Sequence, residues 1–299
     1  MNHAITSAHQ ILSPLVIGSW KWGRWGANLP TDEIKNVIDV CIDLGITSFD
    51  HADIYGHYTD EAAFGKALGK ANSIRSKIQI VTKCGIMLVC PERPFYSIKH
   101  YDASRQHIIQ SVENSLTAFH TDYMDILLIH RHDWLMDINE VAEAFASLKK
   151  AGKVLYFGVS NFTTTQFEML DSVTPLVTNQ IEVSLLHREY FFNGVLDQAQ
   201  KLNRAPMAWS PLGSGRYTSL EDPEAVRVQN VAQPIMEKYN ATLDQIYINW
   251  ILMHPSNIFP VIGTSKIDRI KSAVKALSFK LTREEWYALW VAAEGNEVP

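Results

Sequence analysis

An acid, a phenol, an amine and an imidazole stand at or just past the ends of three short apolar runs. The stretch Phe49-Asp50-His51-Ala52-Asp53-Ile54-Tyr55-Gly56 closes one run with Asp50 and sets Tyr55 five residues further on, and two other runs end in Lys83 and His130. Together such groups can move a proton. A phenol has an ordinary pKa near ~10, so it gives up a proton readily at neutral pH only where a nearby cation favours its ionised form. Lys83 can be that cation. A lysine drawn out of water tends to lose its own charge, and Asp50 can hold it protonated by pairing with it. His130 could then aim a carbonyl at Tyr55. Taken singly, each has a plainer reading: Asp50 as a loop carboxylate or cap, Tyr55 as a packed loop aromatic, Lys83 as a snorkelling rim lysine, His130 as a satisfied core histidine.

Four groups from three strands can meet only if the strands end on one side of a common scaffold. Short apolar runs alternate with helix-period segments along the chain, the pattern of parallel strands joined by crossover helices. Strands are expected at 15–18, 48–53, 78–83, 125–130, 154–160, 177–182, 206–210 and 259–263. Cores such as Ile126-Leu127-Leu128-Ile129 are apolar on both faces, which suits strands covered inside and out. Helices are expected at 32–44, 61–68, 104–119, 139–150, 165–170, 195–202 and 267–276, with two more patterns within 222–253 and one at 283–293. Thr163 with Gln166, Thr242 with Gln245 and Thr282 with Glu285 have capping-box spacing. Eight strand-helix units in this length imply an α/β (β/α)8 TIM barrel, with extra helices before strand 8 and at the C-terminus, forming one domain over residues 1–299. A doubly wound sheet is disfavoured, because the turn after its first strand should read G-x-G-x-x-G and here reads Gly18-Ser19-Trp20-Lys21-Trp22-Gly23. In a barrel, Asp50, Tyr55, Lys83 and His130 all fall at the C-terminal mouth, and the long segment 85–102 forms a wall over it.

The composition, 46% hydrophobic and 20% charged, is that of a chain able to bury a large core. A net charge of −5 argues against nucleic-acid binding, which needs a basic face. No run approaches the roughly 18 apolar residues of a membrane span, and residues 1–13 lack the features of a secretory signal. Cys41, Cys84 and Cys90 are odd in number and lack CxxC spacing, so neither a disulfide framework nor a zinc knuckle is implied. A cytoplasmic monomer acting on a small molecule, with no nucleic-acid, membrane or metal partner, is the expectation.

With these residues in view, the chain resembles the aldo-keto reductase family over nearly its whole length. FDHADIYG is similar to that family's Asp-and-Tyr motif, VTKCG to its lysine strand and DILLIH to its histidine strand. The resemblance implies Asp50, Tyr55, Lys83 and His130 as catalytic residues and NADP(H) as cofactor. It also implies that Ser19 and Trp20 form the first cofactor-side turn. Ser160, Asn161 and Gln180 would hold the nicotinamide carboxamide, and Trp209, in Trp209-Ser210-Pro211-Leu212-Gly213, would stack on the ring. Gly213-Ser214-Gly215-Arg216 reads as a pyrophosphate loop with room for close backbone approach. The segment Gly263-Thr264-Ser265, with Arg269, resembles the family's adenosine-phosphate signature at a strand-to-helix junction. Arg269 there favours NADP over NAD. His51 stands where the family often has a small hydroxyl residue, and Ser272-Ala273 where it often has Glu-Asn. Trp20, Trp22, Trp25, Phe95 and Tyr96 would line an apolar substrate cleft, with ordinary loop packing preferred for Trp22 and Trp25.

The leading function is NADP-dependent reduction of an aldehyde or ketone to an alcohol, with Tyr55 as proton donor. A non-catalytic NADP-binding redox sensor is one alternative. A metal-dependent TIM-barrel hydrolase is another, motivated by Asp50-His51-Ala52-Asp53 and His130-Arg131-His132-Asp133.

Overall fold

The computed structural model describes residues 7–69 and 74–298. Among these, eight parallel strands close into a barrel in chain order: β1 (Val16–Gly18), β2 (Ser48–Asp50), β3 (Gln79–Cys84), β4 (Met124–Ile129), β5 (Val154–Ser160), β6 (Asn179–Glu182), β7 (Met207–Trp209) and β8 (Phe259–Ile262), which returns to β1. Every expected strand is present within a few residues of its expected limits. Strand β2 stops at Asp50 rather than 53, yet His51 and Asp53 still donate their amides to Val81 and Lys83 of β3. The chain therefore stays against its neighbour as far as the site.

Side chains alternate across a strand, and the two faces enter separate cores. Val16, Val81, Ile126, Leu128, Met207, Phe259 and Val261 fill the interior, closed below by Ala8 and Leu12. Their outward neighbours Ile17, Phe49, Ile80 and Ile262 pack under one arc of helices, and Leu127, Ile129, Phe157 and Val159 under another. Continuing the inward parity by two residues brings Lys83 after Val81 and His130 after Leu128. The polar layer is thus the top storey of an apolar stack.

The outer ring comprises α1 (Thr31–Asp43), α2 (Asp60–Leu68), α3 (Arg105–Phe119), α4 (Ile138–Lys150), α5 (Thr164–Asp171), α6 (Val195–Leu202), α7 (Pro223–Tyr239), α8 (Leu243–Leu252), α9 (Ile267–Lys275) and α10 (Arg283–Glu294). Both α7 and α8 lie between β7 and β8, and α10 follows α9, so the molecule is a (β/α)8 barrel with the expected additions. Helix α10 is fastened to α8 by Trp250 and Trp286, whose rings stack with centroids 4.7 Å apart. Each indole N–H of that pair donates to the other residue's carbonyl, at 3.2 and 2.9 Å. The segment 85–102 is more ordered than its composition suggests: Ile86–Met87 and His100–Tyr101 pair as a short antiparallel ribbon. No helix among the described residues is long and apolar enough to cross a membrane.

Candidate active site

Strand β2 carries Asp50 and β3 carries Lys83, and both side chains are almost fully buried. Lys83 Nζ donates to Asp50 Oδ2 at 2.8 Å, to the His51 carbonyl at 2.6 Å and to Tyr55 Oη at 3.2 Å. All three ammonium hydrogens are therefore used, which is what a buried cation needs to be tolerated. Burial works against the charge on Lys83, but Asp50 and the Tyr55 oxygen outweigh it and raise the pKa above its ordinary value. The other Asp50 oxygen accepts from Gln180 Nε2 at 2.8 Å, reaching across the barrel from β6.

Tyr55 lies in the loop after β2, in the turn that leads to α2. Burial raises its phenol pKa, and Lys83 offsets only part of that rise. The sequence alone suggested that the cation would dominate; because the hydroxyl is enclosed, desolvation does. The phenol consequently keeps its proton at neutral pH. His130, just beyond β4, meets the Tyr55 ring edge-on at 6.1 Å. Its pKa is pushed well below the ordinary value by burial and then by the charges of Lys83, Arg131 and Lys99, so the imidazole is neutral. A neutral ring has one N–H to donate and cannot itself act as an acid of ordinary strength.

His51 is fully buried. Its Nδ1 lies 2.8 Å from Ser19 Oγ, and its ring meets Phe64 and Phe119 edge-on at 4.3 and 5.1 Å. Burial, followed by the Lys83 charge, lowers its pKa to about 3. The imidazole is thus a neutral filler under β2 that holds the first loop, while its carbonyl serves Lys83. Ser19 is correspondingly buried, with its hydroxyl turned toward His51 and the Asp50 carbonyl. Trp20 stays 48% exposed at the mouth. Trp22 is core, as expected of loop packing. Trp25, by contrast, packs at 6.1 Å from the Tyr55 ring and 5.4 Å from His57, so it borders the site. Phe95 is exposed and meets Tyr96 at 4.5 Å.

Around the opposite rim, Ser160 and Asn161 end β5. Asn161 Nδ2 donates to Ser160 Oγ at 2.7 Å, and Trp209 Nε1 donates to Asn161 Oδ1 at 3.0 Å, fixing the indole of β7 at the mouth. Arg131 joins this network through the His130 carbonyl at 2.8 Å and Ser160 Oγ at 3.3 Å. Arg131 carries no role legible in the sequence, where its only signal is a cation directly following the strand-end histidine. Beyond Trp209, Ser210, Pro211 and Leu212 lead into a tight turn, Gly213–Thr218, with left-handed backbone at Gly213, Ser214 and Gly215. Ser214 Oγ donates to Ser210 Oγ at 2.9 Å. Arg216 in this turn is held by Asp222 at 2.7 Å and Glu224 at 3.0 Å. At the junction after β8, a side chain placed on Gly263 would meet no atom within 4 Å, and Thr264 Oγ1 accepts from the Lys266 amide at 3.2 Å. Ser265 is half-buried there, while Arg269 in the first turn of α9 is exposed and makes no ion pair among the described residues.

The donors that a metal site requires are not gathered in the same way. Among the described residues, no three His, Cys, Asp or Glu side chains converge as ligands. His132 instead packs its ring against Trp134 and Phe162.

Comparison with known proteins places this geometry. The profile of the Aldo/keto reductase family matches residues 14–292. The chain is 45% identical over 290 residues to an uncharacterized oxidoreductase, YcsN, of Bacillus subtilis, covering 96% of each. It is 42% identical over 289 residues to a 6-dehydroglucose reductase of Agrobacterium fabrum, again covering 96% of each. It also matches a solved thermostable aldo-keto reductase in complex with the inhibitor epalrestat, with a TM-score of 0.78 and 27% identity, over 93% of this chain and 94% of that one. The chain belongs to the aldo/keto reductase family.

Proposed function

We propose that the protein is an NADP-dependent reductase that converts an aldehyde to an alcohol, with Tyr55 as the proton donor. The observation that carries this reading is the continuous chain Asp50–Lys83–Tyr55 beside a neutral His130. When bound, the reduced nicotinamide supplies the hydride. The residues present suit such a group: Trp209 offers an indole braced by Asn161, and the glycine turn at 213–215 allows close backbone approach. Gly263 leaves open space in the turn before α9, whose first turn carries the exposed Arg269.

His130 donates its single N–H to the carbonyl oxygen and aims it at Tyr55. As negative charge builds on that oxygen, Tyr55 passes its proton across, since an alkoxide is a far stronger base than a phenolate. Lys83, already within 3.2 Å of Tyr55 Oη, stabilises the phenolate that forms, and Asp50 keeps the lysine charged throughout. Because the donor, its cation and its carboxylate are positioned beforehand, little reorganisation is needed at the moment of transfer. The relative named as a 6-dehydroglucose reductase points to a sugar-derived aldehyde. The Trp20 and Trp25 rings, which meet edge-on at 6.5 Å, and the polar Arg131 bonded to the His130 carbonyl are in keeping with a substrate that has both C–H faces and hydroxyls.

Calorimetric titration with NADPH and NADH, followed by turnover of a carbonyl panel that includes sugar aldehydes, tests the reading. Tyr55→Phe is expected to lose about 10²- to 10⁴-fold in kcat while NADPH still binds. Normal turnover by that variant would remove Tyr55 from the mechanism, and tight NADPH binding without turnover of any panel member would restore the redox-sensor reading.

A further inference from the structure

We infer that Tyr58 is a positioning residue of the proton transfer: its hydroxyl seats the ribbon of Ile86–Met87 and His100–Tyr101 on the turn that follows Tyr55, and so fixes where the proton donor stands. The inference rests on the reading that Tyr55 donates the proton.

Three consecutive residues after Tyr55 have left-handed backbone, with φ of +58° at Gly56, +58° at His57 and +65° at Tyr58. Glycine takes this conformation freely, whereas a Cβ crowds the carbonyl oxygen that follows it, so His57 and Tyr58 resist it. Such a run persists only where its surroundings over-determine it. Its amides fold back on the donor itself: that of Tyr58 donates to the Ile54 carbonyl at 3.3 Å, and those of Thr59 and Asp60 both donate to the Tyr55 carbonyl, at 3.2 and 3.3 Å. Thr59 Oγ1 closes the turn on the Gly56 carbonyl at 2.7 Å. Relaxing either strained residue would swing these amides off the carbonyls of Ile54 and Tyr55, and the catalytic phenol would move with them.

The restraint comes from the segment over the mouth. Tyr58 Oη accepts from the Leu88 amide at 3.0 Å and donates to the Ile86 carbonyl at 3.2 Å, on either side of Met87. The Arg93 guanidinium, carried by the same segment, lies 4.5 Å from the centre of the Tyr58 ring. Ala52, Ile54 and Ile86 form a small apolar cluster between turn and ribbon, and the Tyr55 and Tyr58 rings both pack on it. A two-stranded ribbon is marginal by itself, so the dependence runs both ways: the ribbon needs Tyr58, and the strained turn needs the ribbon. Burial pushes the Tyr58 phenol up to about 12, so the hydroxyl keeps the proton that it donates to Ile86 at neutral pH.

The test compares the full chain with Tyr58→Phe, which keeps the ring against Arg93 and removes only the hydroxyl. Both are labelled with 13C at tyrosine Cζ, and the Tyr55 resonance is assigned by its loss in Tyr55→Phe. Without cofactor or substrate, that resonance is expected to move in Tyr58→Phe, and amide exchange at 57–60 and 86–88 should quicken together by about tenfold or more. With NADPH and a carbonyl substrate, kcat should fall about tenfold while the Kd for NADPH stays within about threefold. The same change is then made on a His57→Gly background, where glycine takes the left-handed backbone without strain. The turn there needs less restraint, so the loss of kcat caused by Tyr58→Phe should shrink by about threefold or more; this pair also carries the test if the single variant folds poorly. An unmoved Tyr55 resonance with unchanged kcat, whatever happens to the urea midpoint, would overturn the inference and leave Tyr58 a support of the ribbon alone. Equal losses on the two backgrounds would overturn it as well, because strain in the turn would then play no part. A wild type that reduces no carbonyl would sink the Tyr55 reading instead. The resonance and the exchange rates, which need neither substrate nor cofactor, would still decide whether Tyr58 sets the turn.

Discussion

Lys83 and Tyr55 touch each other, yet removing the lysine should cost more stability than removing the phenol hydroxyl, while both cost rate. Lys83→Met would leave the Asp50 carboxylate buried with Gln180 as its remaining side-chain donor, and an uncompensated buried charge typically costs about 3–5 kcal/mol. Tyr55→Phe removes one of the three acceptors of the Lys83 ammonium, at 3.2 Å, and leaves that hydrogen unpaired, a loss on the order of 1–3 kcal/mol. Urea unfolding midpoints of the two variants should separate accordingly, and equal midpoints would mean that Asp50 is protonated or hydrated once Lys83 is gone. At this scale, chemistry was legible wherever a reactive side chain ended an apolar run. It was not legible where a bond spans the barrel. The Gln180–Asp50 contact joins residues 130 positions apart, and no local pattern encodes it. His51 was likewise opaque, because its partner Ser19 comes from the neighbouring strand's loop and its role depends on being wholly enclosed.

The elements that bring these residues together are held by local signals and by close backbone approach. All three capping boxes read from the sequence form, at the N-termini of α5, α8 and α10, because reciprocal bonding over three residues needs nothing from the rest of the fold. The ribbon at Ile86–Met87 and His100–Tyr101 was missed, since two-residue strands are too short to show alternation. Nor did the sequence reveal why β5 has a glycine two residues before Ser160. A Cβ at Gly158 would lie 2.6 Å from the Thr178 carbonyl and 2.8 Å from Leu128 Cδ2. Gly158→Ala should therefore push β5 away from its neighbours and take Ser160 and Asn161 with it. The expected result is destabilisation of about 1–3 kcal/mol together with weakened NADPH binding. Wild-type cofactor affinity in a folded variant would show that the rim of β5 tolerates the shift.

Across the whole molecule, stability should depend on pH through two buried carboxylates lodged between the barrel wall and α2 and α3. Asp53 accepts from Ser111 Oγ at 3.0 Å, and Glu61 accepts from Thr82 Oγ1 at 2.5 Å. Burial first, and then the charge of Glu61, raises the Asp53 pKa to about 8; burial raises that of Glu61 to about 7, against the pull of Thr82, Ser115 and Lys83. Unfolded, these groups titrate near the ordinary carboxyl values of 3.8 and 4.5. The folded state thus keeps protons that the unfolded state has released, so this contribution is complete below about pH 4, falls as pH rises, and is fully lost once pH has passed about 7 for Glu61 and about 8 for Asp53. His51 and His254, depressed to about 3 and about 4 by burial, act with the opposite sign: unfolded, they gain protons below 6.5 that the folded state refuses. Between pH 4.5 and 6.5 the two effects oppose each other. Above 6.5 the histidines fall silent and only the carboxylates remain, so stability should decline by on the order of 1 kcal/mol per pH unit for each carboxyl still protonated in the folded state, levelling off for Glu61 above about pH 7 and for Asp53 above about pH 8. Glu61→Gln keeps an oxygen for Thr82 to donate to but cannot ionise, and it also spares Asp53 a neighbouring charge. Urea unfolding at pH 6.5 and 8.5 should show a shallower decline in that variant than in the wild type. Parallel declines would mean that Glu61 is already ionised in the folded protein, its charge met by Lys83 through the wall of the barrel.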